Sequence, residues 1–133
     1  MANRDFVSGI KSQLALSATI STNTTTNGTD IDTAQQSEGT GFAVACTAFS
    51  AGSFAVNVQE SDVGGGAGYT DVATANIIGT EPTITAVDSA GGTLAKVGVF
   101  GTKRYVRVQI VSTGASGSNT FAVVAQNVTN IQP

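Results

Sequence analysis

Residues 104–111 read Arg-Tyr-Val-Arg-Val-Gln-Ile-Val, with Val106, Val108 and Ile110 on one face of an extended chain and Tyr105, Arg107 and Gln109 on the other. Strict alternation matches the two-residue period of a strand buried on one side, and β-branched residues suit a pleated backbone. Downstream, Ser112 to Asn119 is a run of small polar residues and glycines that predicts a turn, after which Phe121, Val123 and Ala125 alternate in a last strand. Upstream, Leu94 to Val99, Thr83 to Val87 and Asp71 to Ile78 are short strand candidates separated by turn-forming residues. Pro82 confines its strand to an edge or to that strand's first residue.

Phe54, Val56 and Val58 alternate over residues 53–61, and Phe42, Val44, Cys46 and Ala48 do so over residues 41–49. These predict two antiparallel strands joined through Ser50-Ala51-Gly52. Gly64 to Gly68 reads as a flexible hairpin tip. The polar run 21–41, with Asn27-Gly28 as a possible tight turn, is a long loop or an edge hairpin. Leu14, Leu16, Ala18 and Ile20 make a first strand. The expected core is Leu14, Leu16, Phe42, Val44, Phe54, Val56, Val106, Val108, Ile110, Phe121 and Val123. About eight short strands with glycine-rich turns, and no convincing helical stripe apart from a possible one around Asp5 to Leu14, predict an all-β, single-domain antiparallel β-sandwich, jelly-roll-like. Residues 13–133 form that domain, preceded by an N-terminal arm, residues 1–12.

The 133 residues suffice for one core without disulfides or metal. Charged residues make up 11% of the chain against about 25% in an ordinary soluble domain, and the net charge is -3. That balance disfavours nucleic acid, which needs clustered basic residues in excess. No stretch is apolar enough for a membrane helix or a signal peptide, so a soluble protein made in a cytoplasm is expected. The Asn-X-Thr triplets at Asn23, Asn27 and Asn127 are accordingly discounted as glycosylation sites.

The chain has no His, which removes the commonest general base and metal ligand together with Ser-His-Asp and Cys-His catalysis. Cys46, within an alternating strand, reads as a small core residue. Glu60 and Asp62, two apart, could share a face as a glycosidase pair would, but solvated acids at a strand end explain them better. Asp30, Asp32 and Glu38 lack the spacing and glycine of a calcium loop, and the glycine run lacks the Lys and helix of a phosphate loop. No catalytic, cofactor or metal site is expected. Lys103, Arg104 and Arg107 hold half of the basic residues within five positions. They form either ordinary cross-strand pairs with acids or a docking patch for an acidic surface. In the arm, Arg4, Phe6, Ile10 and Lys11 place apolar anchors among polar residues, able to insert into a neighbour's groove or to pack on their own domain.

Two stretches carry a resemblance: Phe54 to Asp62, ending Gln-Glu-Ser-Asp before a glycine loop and Tyr69-Thr-Asp-Val-Ala73, and Val97 to Arg107, containing Gly-Thr-Lys-Arg-Tyr-Val-Arg. With Ile78-Gly-Thr80 between them, their order and spacing resemble the small β-sandwich capsid decoration (cement) proteins of tailed bacteriophages, over roughly residues 42–126. The polar run 21–38 and a glycine turn without Trp depart from that pattern. The resemblance implies a non-enzymatic virion protein on the capsid exterior. There it would bind the outer face of an HK97-type shell and stabilise contacts between subunits of the major capsid protein, as a homo-oligomer, a trimer by preference. Neck, tail or baseplate components are the nearest alternative. A carbohydrate-binding sandwich is more distant, since the chain has no Trp and only Tyr69 and Tyr105 as tyrosines.

Overall fold

The computed structural model describes residues 10–33, 39–87, 94–100 and 103–128. Alternation becomes strand wherever one face can be buried: β1 Ile10–Ile20, β4 Thr40–Ala48, β5 Ala51–Ser61, β9 Ala95–Val99, β10 Tyr105–Ser116 and β11 Asn119–Val128. Shorter pieces are β2 Thr25–Asn27, β3 Ile31–Asp32, β6 Thr70–Asp71, β7 Ile77–Ile78 and β8 Thr83–Ile84, with a 3-10 turn at Thr74–Asn76. A five-stranded sheet runs β1-β11-β4-β9-β7; the other runs β2-β10-β5-β6, with β3 on β10 and β8 on β5. The pairings are antiparallel, and the two sheets pack as a sandwich.

Between the sheets lie Val106, Val108 and Ile110 of β10 with Phe54, Val56 and Val58 of β5, facing Phe42, Val44 and Cys46 of β4 and Phe121, Val123 and Ala125 of β11. The ring of Phe54 bridges the layers, 4.8 Å from that of Phe121 and 6.1 Å from that of Phe49. Cys46 sits in this core, its thiol donating to the carbonyl of Ala48.

Several expectations are corrected by the packing. β4 and β5 do not form a hairpin: residues 49–50 carry the chain from one sheet to the other, because the inner faces of both strands bury best across the sandwich. The expected turn over 112–119 is strand as far as Ser116, held to β5 through a register shift between Thr113 and Ser116. Asp71 to Ile78 splits into β6, the 3-10 turn and β7, which crosses between sheets. Leu14 is not core: it is 58% exposed, while Ala15 is fully buried. A β-bulge causes this, since Leu14 pairs with Val124 and Leu16 with Val123, leaving Ala15 as the extra residue. One inserted residue turns the alternation inside out on its N-terminal side.

The bulge also closes one side of the sandwich. The Ala15 carbonyl accepts from the Thr29 N–H at 2.7 Å, while the Gly28 N–H donates to the Val108 carbonyl at 2.7 Å, so two adjacent residues of the polar run tie the sheets together. A Cβ at Gly28 would lie 2.5 Å from the Ala15 oxygen and 2.8 Å from the Val108 oxygen. Gly28→Ala is therefore expected to cost about 1–3 kcal/mol, since backbone rather than side chain must give way. Chemical denaturation measures it, and a change within 0.5 kcal/mol would show that the closure is loose. At the other sheet's edge, Pro82 O and Glu81 Oε2 take the N–H groups of Val56 (2.9 Å) and Val58 (2.6 Å), so a side chain completes the ladder between β8 and β6.

Candidate functional site

The outward face of the six-stranded sheet is polar and interlocked. β10 and β5 place Arg107 opposite Gln59, and the β5–β6 hairpin brings Tyr69 and Asp71 alongside. The Arg107 guanidinium donates twice to Gln59 Oε1, at 3.0 and 2.8 Å, and stacks 4.0 Å from the centroid of the Tyr69 ring, which leaves it only 9% exposed. Gln59 Nε2 donates to Asp71 Oδ1 at 2.9 Å. The Tyr69 hydroxyl donates to Asp30 Oδ1, and Asp30 Oδ2 accepts from the N–H groups of Gly65 and Gly66. Gly64, Gly65 and Gly66 all have positive φ, which turns successive N–H groups toward one concavity where an anion fits, and Asp30 fills it. Ser61 Oγ holds the same loop from below, donating to the Ala67 carbonyl and accepting from the Val63 and Gly64 N–H groups. The loop expected to be a flexible tip is thus anchored by two side chains from either side of it.

Asp30→Ala should release that loop: the Gly65 and Gly66 amides are expected to exchange with solvent at least tenfold faster, about 1.4 kcal/mol of lost protection, as measured by hydrogen exchange. Burial first, then the hydrogen bond to Asp30, pushes the Tyr69 phenol well above its ordinary value of 10.0. The fold therefore favours the neutral phenol, a contribution fully present below pH 10 and lost as pH rises beyond it. Tyr69→Phe is expected to remove this alkaline loss, so that denaturation midpoints of variant and parent converge above pH 10.

The cationic trio does not stand as one free patch. Arg104 forms a two-pronged ion pair with Asp32 (3.1 and 2.9 Å), which pushes its pKa up, and lies 5.1 Å from the Tyr105 ring centroid. Lys103 Nζ reaches Thr70 Oγ1 at 3.5 Å, and Arg107 is the buried member. Arg4 and Phe6 lie outside the described residues, as does Glu38; Ile10 opens β1, paired with Val128. Glu60 ends the inward row of β5 while Asp62 is exposed beyond the strand, so the two acids do not share a face. Among the described residues no group of three or more His, Cys, Asp or Glu could hold a metal ion.

The outward face of the five-stranded sheet differs in kind. Two lateral rows run across it: Ser12, Gln126, Gly41, Gly98 and Ile78, and beside it Leu14, Val124, Ala43 and Lys96. Ala122 and Ala45 pair next along β11 and β4. Lys96 is the charged side chain among these. Where Gly41 and Gly98 lie side by side the surface dips into a depression of about 340 Å³ walled by Ile78 and Gln126. Sequence reading passed over this face. Its signal was the residue set opposite the core row (Gly41, Ala43, Ala45; Ala122, Val124), small and uncharged where a solvated strand would carry polar groups. No protein-family model, curated protein or solved structure matches the chain.

Proposed function

We propose that this is a non-enzymatic structural protein of a tailed-phage virion, a decoration or cement protein that seats on the outer face of the shell and bridges neighbouring major capsid subunits. One observation carries the reading. The stretches that carry the resemblance contribute Gln59, Ser61, the glycine loop, Asp71 and the Lys103 to Arg107 strand, which lie far apart in sequence yet gather, with Tyr69, into a single network. Gln59, Ser61, Tyr69, Asp71, Arg104 and Arg107 are each engaged by another part of the same chain, as suits a rigid platform. A rigid sandwich with one sheet face whose two lateral rows carry a single charge, Lys96, suits protein contact, and identical copies clustered about a symmetry axis of the shell would multiply weak contacts by avidity. A sugar site would need an open aromatic face, and the Tyr69 ring lies under Arg107.

The test is the protein's copy number relative to the major capsid protein in purified particles of the phage that encodes it. About one copy per shell subunit supports decoration. A handful of copies points instead to a neck, tail or baseplate component, and none to a role outside the virion.

A further inference from the structure

We infer that the outward face of the five-stranded sheet is a self-association surface on which two copies meet face to face, the Leu14–Val124 ridge of each entering the Gly41–Gly98 trough of the other. Two features of this face weaken the isolated chain and have no use within it. Leu14 is 58% exposed. The bulge that turns it outward serves the Ala15–Thr29 tie, but that tie does not call for leucine at position 14. Gly41 lies inside β4, a central strand, with an ordinary backbone angle, and an added Cβ would meet nothing closer than the Gln126 carbonyl at 3.8 Å. Gly98 is different: a Cβ there would lie 3.2 Å from Ile78. A strand-interior glycine weakens its sheet and marks a place where another chain approaches closely. The chain's own packing accounts for Gly98 and leaves Gly41 to an outside occupant.

A second copy fits that occupant by shape, charge and area. Ridge and trough belong to the same two rows, about 10 Å apart at two strand spacings. A twofold axis through the middle of the face therefore sets each ridge over the opposite trough, the self-complementary arrangement of an isologous pair. Lys96 is the charged residue of the two rows; it is exposed and lines the trough, so each copy brings one ammonium, which its four-carbon stem must carry to the rim of the pair. β1, β4 and β11, about 30 Å long, and β9, about 17 Å long, at a spacing of about 4.8 Å present on the order of 500 Å² per copy, or about 1,000 Å² for the pair, the least that a specific interface buries. Ridge and trough face the same direction; a ring of three would need them on facets turned toward each other. The inference concerns this face alone and does not depend on the virion reading.

Sedimentation of the full chain across a range of concentrations tests it. The parent is expected to reach twice the 13.3 kDa chain mass. Leu14→Asp and Gly41→Val should each remain single chains with unchanged far-UV circular dichroism. Mixed together they should partly recover the pair, because the intact ridge of one meets the intact trough of the other. Leu14→Thr, a milder strand-compatible change, replaces Leu14→Asp if that variant misfolds. A single-chain parent at every concentration overturns the inference, as does a pair indifferent to both substitutions or one abolished only by deleting residues 1–9, which would make the arm the occupant. A trimer also overturns it while leaving the proposed function standing.

Discussion

Phe54→Ala is expected to cost about 3–5 kcal/mol of folding stability. The side chain is fully buried, and its ring is the contact through which β5 of one sheet meets Phe121 of the other, with Phe49 packed edge-on against it. Removal leaves a void between two rigid sheets, whose ladders stop them from collapsing inward, so little of the lost contact is recovered. Against a typical total of about 5–15 kcal/mol this is a large fraction, and the denaturant midpoint should fall steeply with an unchanged slope. Leu16→Ala, in the core, should cost about 2–5 kcal/mol, whereas Leu14→Ala, measured at low concentration, should stay within about 0.5 kcal/mol. A harmless Phe54→Ala would mean that the faces of β5 are reversed; a costly Leu14→Ala would deny the bulge.

Asn119→Ala ranks second, with an expected loss of about 3 kcal/mol. Asn119 is fully buried at the start of β11, and its amide joins three separate parts of the chain at one end of the sandwich. Its Nδ2 donates to the carbonyls of Ile20 (2.9 Å) and Ser116 (3.1 Å), and its Oδ1 accepts from the N–H groups of Ser50 (2.7 Å) and Ala51 (3.3 Å). Truncation removes a partner from two donors and two acceptors at the strand ends, and the cost comes from those unmade bonds more than from lost packing. Asn119→Asp discriminates this from a simple volume effect. The carboxylate keeps both acceptor contacts but turns an oxygen toward the Ile20 and Ser116 carbonyls, so it too should destabilise, measurably more at neutral pH than in acid, where the protonated carboxyl can donate.

The inner faces of β4, β5, β10 and β11 were legible from the sequence because a two-residue period survives any arrangement in which one face is buried. Val106, Val108 and Ile110 needed no knowledge of their partners, since their own order puts them on one side. Leu14 lies on the face opposite to that expected because a bulge is set by the partner strand: nothing local in Gln13-Leu14-Ala15-Leu16 says that Ala15 will be the extra residue. The β4–β5 hairpin was misread for a similar reason. A short small-residue link permits both a turn within one sheet and a crossing between two, and only burial of both inner faces selects the crossing. Of the basic residues, Arg104 pairs with an acid of the neighbouring strand, but Arg107 is held by Gln59, whose place opposite it is set by the β5–β10 register, and by Tyr69, from the loop before β6, and both placements are tertiary.

By itself the sequence determined an all-β chain whose strands bury alternate residues, because strand period and side-chain volume are local properties that each segment carries with it. Tertiary structure alone decided that Asp30 would fill the glycine loop, that Gly28 would stitch the two sheets together, and that Leu14 and Gly41 would share one outer face. Those facts depend on which strands become neighbours and in what register, and that is settled only by the whole chain packing at once.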